Sequence, residues 1–311
     1  MANRLTLVDL AKRTGNDRQV GLIEAMTQSN GLLERLPFKT INGISYKVKT
    51  RTALPSVGTR AFNQGITETK STIKQTTYET KIFNSRSIVD VLEADTYPEG
   101  AAALRNEEDR SHLYAMGNKF NYYAYYGNGS TDPTVFDGLA TILNSTAVST
   151  VIAGTGASGS STSLYFVSFA SANTTQGIVK GVEGVVTSGQ ELSAMDMGKV
   201  LVNDLDSAQY WAYVTEIQAM YGLAVYDTRA VGRYMGLTSA IAPTVANIEA
   251  IMTAMYPFGC DAIFCNKTGW KLLKALKSTI TYYPQDTEIK KSVLTFDGVP
   301  IILDENITDT E

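Results

Sequence analysis

The stretch from Ala101 to Tyr126 limits the fold more than any other, because it is an unbroken run of helix formers that stops only at Gly127-Asn128-Gly129. Thr96 and Glu99 have the spacing of a capping box, and Pro98 sits where a first helical turn tolerates a missing N–H. The spacing predicts one helix over 96–126, a rod of roughly 40 Å at 1.5 Å per residue. Its surface changes character midway. Arg105–Ser111 is polar all round, whereas His112, Leu113, Met116, Phe120, Tyr123 and Ala124 form an apolar stripe at helical spacing. One half of the rod is expected to pack on a core and the other to face water or another chain.

A chain of 311 residues is long enough for about two domains, each with its own core. Lys and Arg number 27 against 31 Asp and Glu, a net charge of -4, which excludes a fold-wide basic field for wrapping nucleic acid. Two cysteines, Cys260 and Cys265, are too few for a disulfide framework and wrongly spaced for a zinc knuckle, so they read as small core residues around a strand. The first residues lack the apolar core of a signal peptide, and no apolar run approaches the ~18 residues of a membrane span. A soluble, cytoplasmic product is expected.

Two short amphipathic helices are expected in the first thirty or so residues, at Thr6–Arg13 and around Val20, Ile23 and Met26 with Gly31 as the stop. Each is too short to be stable alone, so together they form an arm that docks on something. From Ile44 the period becomes two, then a polar segment runs through Pro55–Gly58, and Thr- and Lys-rich sequence returns at Thr69–Lys81. That pattern predicts a long β-hairpin reaching away from the core, with too few apolar residues to be stable unaided. Ser87–Leu92 reads as a strand or turn. Residues 145–190 read as β-hairpins with strands at Leu164–Phe169 and Gly181–Thr187. Tyr210–Tyr226 reads as strands buried in a sheet, followed by a helix after Pro243. Ala262–Cys265 is a strand, Asn266 the cap of a helix carrying Trp270, Leu273 and Leu276, and Val299–Leu303 a last strand before an acidic tail.

Gly154-Thr155-Gly156-Ala157-Ser158-Gly159 matches a dinucleotide fingerprint in its letters, but a strand pattern follows where that chemistry needs a helix N-terminus. A hairpin loop is the better reading. His112 is the single histidine, and it lies on the apolar stripe with no nucleophile placed beside it. It reads as a packed, hydrogen-bonded side chain. Glu107, Glu108 and Asp109 are flanked by Arg105 and Arg110 at helical spacing, which favours a solvated or intersubunit ion-pair network over a metal site. Asp204-Leu205-Asp206 lacks the rest of a calcium loop and reads as a turn. No catalytic, cofactor-binding or metal-binding residue is expected.

An arm, a projecting hairpin, a rod and two mixed lobes, in that order, resemble the Hong Kong 97-type major capsid protein of tailed bacteriophages, a fold also seen in encapsulin shells. The resemblance covers nearly the whole chain. Local segments that carry it are Thr6–Lys12 (TLVDLAK), Arg60–Gly65 (RAFNQG), Phe136–Leu139 (FDGL), Tyr221–Arg229 (YGLAVYDTR) with Arg233, and Cys265–Leu276 (CNKTGWKLLKAL). Gly236 follows Tyr234-Met235 without the asparagine typical there, and the Ser/Gly-rich block at 140–205 is longer than in the minimal fold.

The resemblance implies an α+β fold with an N-terminal arm at 1–43, an E-loop at 44–81, and a P-domain at 82–135 that includes a spine helix at 96–126. An A-domain follows at 136–311, with a β-rich insertion at about 140–205 and strands returning to the P-domain at about 208–235. It implies hexamers and pentamers of an icosahedral shell around double-stranded DNA held without sequence specificity, in a virion assembled in the host cytoplasm, with no membrane. Intersubunit contacts are expected at Arg60, Phe62, Asn63, Glu107, Glu108 and Arg110. Residues 1–43 are too few for a fused scaffolding domain, so a separate scaffolding protein is expected, with portal and decoration proteins as further partners. An encapsulin-type cargo shell is the alternative on the same fold, and a nucleotide-dependent enzyme built on Gly154–Gly159 a distant one.

Overall fold

The computed structural model describes residues 30–97, 100–157, 159–172, 179–203, 208–276, 280–284 and 292–311. The two arm helices, Pro98, Glu99 and the Asp204–Asp206 turn lie outside the described residues. The first half contains α1 (Gly31–Arg35), β1 (Phe38–Ile41), β2 (Ser45–Ala53), β3 (Thr72–Glu79), β4 (Lys81–Asp90), α2 (Val91–Thr96), α3 (Ala101–Tyr126) and α4 (Leu139–Ile142). Next come β5 (Val151–Ala153), β6 (Thr162–Val167), β7 (Ser171–Ala172), β8 (Val179–Lys180), β9 (Val182–Thr187), β10 (Ser193–Asn203) and β11 (Gln209–Val225). The chain continues through β12 (Val231–Leu237), α5 (Val245–Ala254), β13 (Ala262–Cys265), α6 (Lys267–Ala275), β14 (Ile280–Pro284), β15 (Ser292–Phe296) and β16 (Val299–Leu303).

β11, 17 residues long, organises a five-stranded sheet. β10 pairs with its first part, β4 with its middle from Ala212 to Tyr221, and β9 with its end from Tyr221 to Val225, while β1 runs parallel to β9. A second sheet has the order β14-β15-β16-β13-β6-β12-β5. Its strands alternate between two cores, as a period of two requires. Leu164, Phe166 and Ile263 pack with Ile248 and Ile251 of α5 and Leu273 of α6, whereas Tyr165, Val167 and Phe264 join the main core. That main core lies where the C-terminal half of α3 meets both sheets. Phe120 is fully buried at its centre, with ring centroids 5.6 Å from Tyr221 and 5.7 Å from Phe136. Burial of such a side chain is worth about 2–3 kcal/mol.

The long helix starts later than its sequence suggests. Asp90 caps a separate helix first, accepting from the Leu92 N–H at 2.7 Å, so Thr96 ends α2 and its hydroxyl donates back to the Leu92 carbonyl. Gly100, at φ 91°, then turns the chain into α3, a backbone state that suits glycine. The expected capping at Thr96 is therefore corrected, while the stop at Gly127 stands, its N–H donating to the Tyr123 carbonyl. Val91 and Leu92 open this helix, and the strand before them, β4, runs over Lys81–Asp90.

Gly31, expected to end a helix, opens α1 instead. A Cβ there would lie 2.8 Å from the Ile302 side chain, so this close approach needs glycine. Strands form within 145–190 as expected, but not as one set of hairpins. β6 belongs to the seven-stranded sheet, β9 to the five-stranded sheet, and the hairpin that does form is the small β7–β8 pair. Tyr210–Tyr226 gives one strand, α5 follows Thr244 as its cap, and Asn266 caps α6 by accepting from the Gly269 N–H at 2.8 Å.

Candidate assembly surfaces

β2 and β3 pair antiparallel from Ser45↔Glu79 outward, with a bulge between Arg51 and Ala53, and form the stalk of the predicted hairpin. Only its root rests on the body. Tyr46, Val48 and Tyr78 pack on Ile41, Val185, Ala224 and Tyr226, and the Tyr78 hydroxyl donates to the Val225 carbonyl. Beyond the root the stalk turns polar, and residues 54–70 are exposed throughout. The tip closes on itself: Arg60 donates to the Gln64 carbonyl at 3.0 Å, and Asn63 adopts a left-handed φ of 66°. Phe62 is 100% exposed and Val57 94%, beside Leu54 and Ile66. Arg60, Phe62 and Asn63 thus come together on a free tip.

The first half of α3 divides differently from its sequence reading. Arg105 folds back on its own sheet, ion-paired with Asp196 of β10 and stacked 4.8 Å above the Tyr213 ring, and Asp109 is buried. Helical geometry explains the correction: positions 105, 109, 113, 116 and 120 share the face that continues into the buried stripe. Glu107, Glu108 and Arg110 point the other way and are exposed. They share a surface with each other, and among the described residues no hydrogen bond or ion pair joins them to the hairpin tip.

Other singled-out residues make their contacts within the chain. His112 meets the Ser85 hydroxyl of β4 at 2.6 Å. The Gly154 and Gly156 N–H groups donate to the Met235 and Gly236 carbonyls, and β6 follows, so the glycine run extends a sheet edge. Burial pushes the Cys260 and Cys265 thiols up to about 12 each. Among the described residues no His, Cys, Asp and Glu group is arranged to hold a metal ion, and no helix is long and apolar enough to cross a membrane.

The acidic end of the chain, read as a tail, is instead tied into the fold by a network of hydrogen bonds. The buried Asp304 carboxylate accepts from the Leu32 N–H, from Asn121 at 2.7 Å and from Tyr125 at 3.2 Å. Glu311 pairs with Arg233 at 2.7 Å and accepts from Ser163, Tyr126 and Tyr165, with only 10% of the Arg233 side chain and 6% of the Glu311 side chain exposed. Burial first, and then the neighbouring carboxylate, hold the Tyr125 and Tyr126 hydroxyls well above the usual tyrosine range. Nothing local in the sequence marks this network, since Asp304, Glu305, Asp309 and Glu311 read alike as a charged tail. The network ties the helix end to the seven-stranded sheet.

A projecting hairpin, a long helix crossing one sheet and a second sheet joined at its end form a layout that comparison can test. The family model for major capsid protein GP7 matches residues 14–311. The chain belongs to that family. The capsid protein shares its fold with the solved structure of bacteriophage Epsilon15, at a TM-score of 0.64 and 22% identity over 86% of this chain and 84% of that one. The bacteriophage JBD30 capsid gives 0.52 at 12% identity over 89% and 91%. An encapsulin complex from Synechococcus elongatus gives 0.45 at 11% identity over 66% and 86%, below both phage capsids. The comparison with curated proteins finds no match. The chain is accordingly a tailed-phage major capsid protein of the Hong Kong 97-type α+β fold, a structural subunit of a virion capsid lattice.

Proposed function

We propose that this capsid protein closes into hexamers and pentamers of an icosahedral shell around double-stranded DNA, each hairpin lying over the neighbouring subunit. The observation that carries the reading is the hairpin tip, whose Leu54, Val57, Phe62 and Ile66 are exposed, with nothing among the described residues to cover them. Apolar surface displayed on an arm is stable when a partner buries it. A contact between different patches on identical chains, repeated about an axis, closes a ring.

Arg60, Phe62 and Asn63 are the proposed contacts on the hairpin, and Glu107, Glu108 and Arg110 those on the spine. Charge supports this division. The hairpin carries Lys47, Lys49, Arg51, Arg60, Lys70 and Lys74 against Glu68 and Glu79, while the exposed spine face presents Glu107 and Glu108 against Arg110. The proposed boundaries keep the E-loop at 44–81, the P-domain at 82–135 and the A-domain at 136–311. DNA would be confined rather than read, in keeping with a net charge of -4. A separate scaffolding protein, a portal and a decoration protein complete the proposed set of partners, with assembly in the host cytoplasm and no catalytic role.

Deletion of Thr52–Lys70 tests this. The expected product is a folded monomer, by circular dichroism and light scattering, that forms no shells under electron microscopy. Normal shells from the deleted chain would remove the hairpin from the assembly contact.

A further inference from the structure

Asparagine followed by glycine is the least hindered pair for attack of a backbone nitrogen on the preceding side chain, because glycine brings no Cβ. The chain contains three such pairs, Asn30-Gly31, Asn42-Gly43 and Asn128-Gly129. As sequence they are equivalent, and the fold separates them. Asn30 is buried, and its side-chain oxygen accepts from Asn121 at 3.3 Å and from Asn306 at 2.8 Å. The Asn128 side-chain oxygen accepts from the Ser130 and Thr131 N–H groups, and the Gly129 N–H donates to Asp137 at 2.9 Å.

Asn42-Gly43 lies in the turn between β1 and β2, at the foot of the hairpin. Both residues are exposed, and among the described residues neither the Asn42 side-chain amide nor the Gly43 N–H makes a hydrogen bond. The turn is held through its carbonyls instead. The Ser188 and Thr80 N–H groups donate to the Ile41 and Ile44 carbonyls, and the Thr187 hydroxyl donates to that of Gly43 at 3.2 Å. A Cβ built on Gly43 would meet nothing within 4 Å, so the space about its nitrogen is clear. The two groups that would have to react are therefore the two that the fold leaves unengaged.

We propose that Asn42 is a site of spontaneous deamidation at the foot of the hairpin. The Gly43 nitrogen, its proton passed to hydroxide, bonds to the Asn42 side-chain carbonyl carbon. The bond from that carbon to the amide nitrogen breaks, and the nitrogen takes a proton from water and leaves as ammonia. A water molecule then opens the cyclic imide. Opening at the side-chain carbonyl gives aspartate, and opening at the main-chain carbonyl gives isoaspartate, whose backbone runs through one more carbon. The sum is water consumed and ammonia released, with no oxidant or reductant. Either product places a carboxylate on the link between the five-stranded sheet and the hairpin, and the iso form lengthens that link.

At Asn30 and Asn128 the same step must first break the hydrogen bonds that engage the side chain or the glycine nitrogen. At the usual strength of such bonds this slows it roughly ten-fold or more. The test incubates the purified full chain in mildly alkaline buffer and follows the peptides that contain the three pairs by mass spectrometry, where conversion replaces NH₂ by OH. Asn42 should convert about ten-fold or more faster than Asn30 and Asn128. In guanidinium the three rates should converge, because the unfolded chain no longer distinguishes the pairs. Asn42→Gln, whose longer side chain must close a larger ring, should leave its peptide unconverted over the same time. Equal rates in the folded chain, faster conversion at Asn30 or Asn128, or an Asn42 that reacts only when the chain is unfolded would each overturn the proposal. It is independent of the shell reading above.

Discussion

Arg233 and Glu311 form a pair that water barely reaches, and removing one partner leaves the other charge buried without compensation. Such a break typically costs about 3–5 kcal/mol. Arg233→Met should lower the urea midpoint of the isolated subunit accordingly, and an unchanged midpoint would mean that the pair is solvated. The tyrosines give a pH dependence of definite sign. Burial, and then the Asp227 charge, raise Tyr78 to about 12, above the ordinary tyrosine value of about 10, so the folded state holds a proton that the unfolded state has released between those values. Its contribution is complete below about pH 10 and is lost as pH rises toward about 12. Tyr125, Tyr126 and Tyr165 are shifted in the same direction, chiefly by burial. Subunit stability should therefore decline over that window, and Tyr78→Phe should make the decline shallower; an identical slope would dissociate Tyr78 from it. Single residues were unevenly legible in the sequence. Cys265, Phe120 and Asn266 could be assigned because hydropathy and capping are local properties. Asp304 and Glu311 could not, because most of the donors that satisfy them are distant in sequence, Asn121 lying 183 residues from Asp304 and Arg233 lying 78 from Glu311.

Among the elements, α3 is held by two different kinds of side chain. Its second half buries Leu113, Met116, Phe120 and Ala124, while its first half is fastened by Arg105 to Asp196. The turn into it depends on Gly100, whose φ of 91° and ψ of 157° belong to a region open essentially to glycine. Gly100→Ala should cost about 1–3 kcal/mol, although a Cβ there meets nothing within 4 Å. A thermal melt unchanged by that substitution would indicate that the turn relaxes freely. Periodicity located the strands and helices within a few residues. What it could not reveal was which sheet each strand joins, since β6 and β9 are both buried along their whole length and their separation depends on β11 and β13. The helix start was misread for a related reason: Thr96 offers a cap, but Asp90 captures the chain first.

At the scale of the whole molecule, the surfaces left for other copies are distinct from those that hold the subunit together. Glu107 and Arg110 touch solvent, so Glu107→Lys with Arg110→Glu should leave the unfolding midpoint of the monomer within the usual ~0.5 kcal/mol of a surface change while disrupting shells. Equal loss of both would place that face inside the fold. The order of arm, hairpin, rod and lobes was legible because each piece has its own period or composition. The joining of the lobes was not, for it rests on an apolar core that both sheets share and on the polar contacts of residues 304–311. One consequence concerns mechanics. β11 runs unbroken from the aromatic root of the hairpin to Trp211 near its other end, and from Ala212 to Gln218 it is held on both sides by antiparallel neighbours. A pull on its two ends loads those hydrogen bonds in shear, many together, rather than peeling them apart in turn. The strand is then a tie-rod, and a lattice of such subunits would bear tension in its wall along covalent backbone.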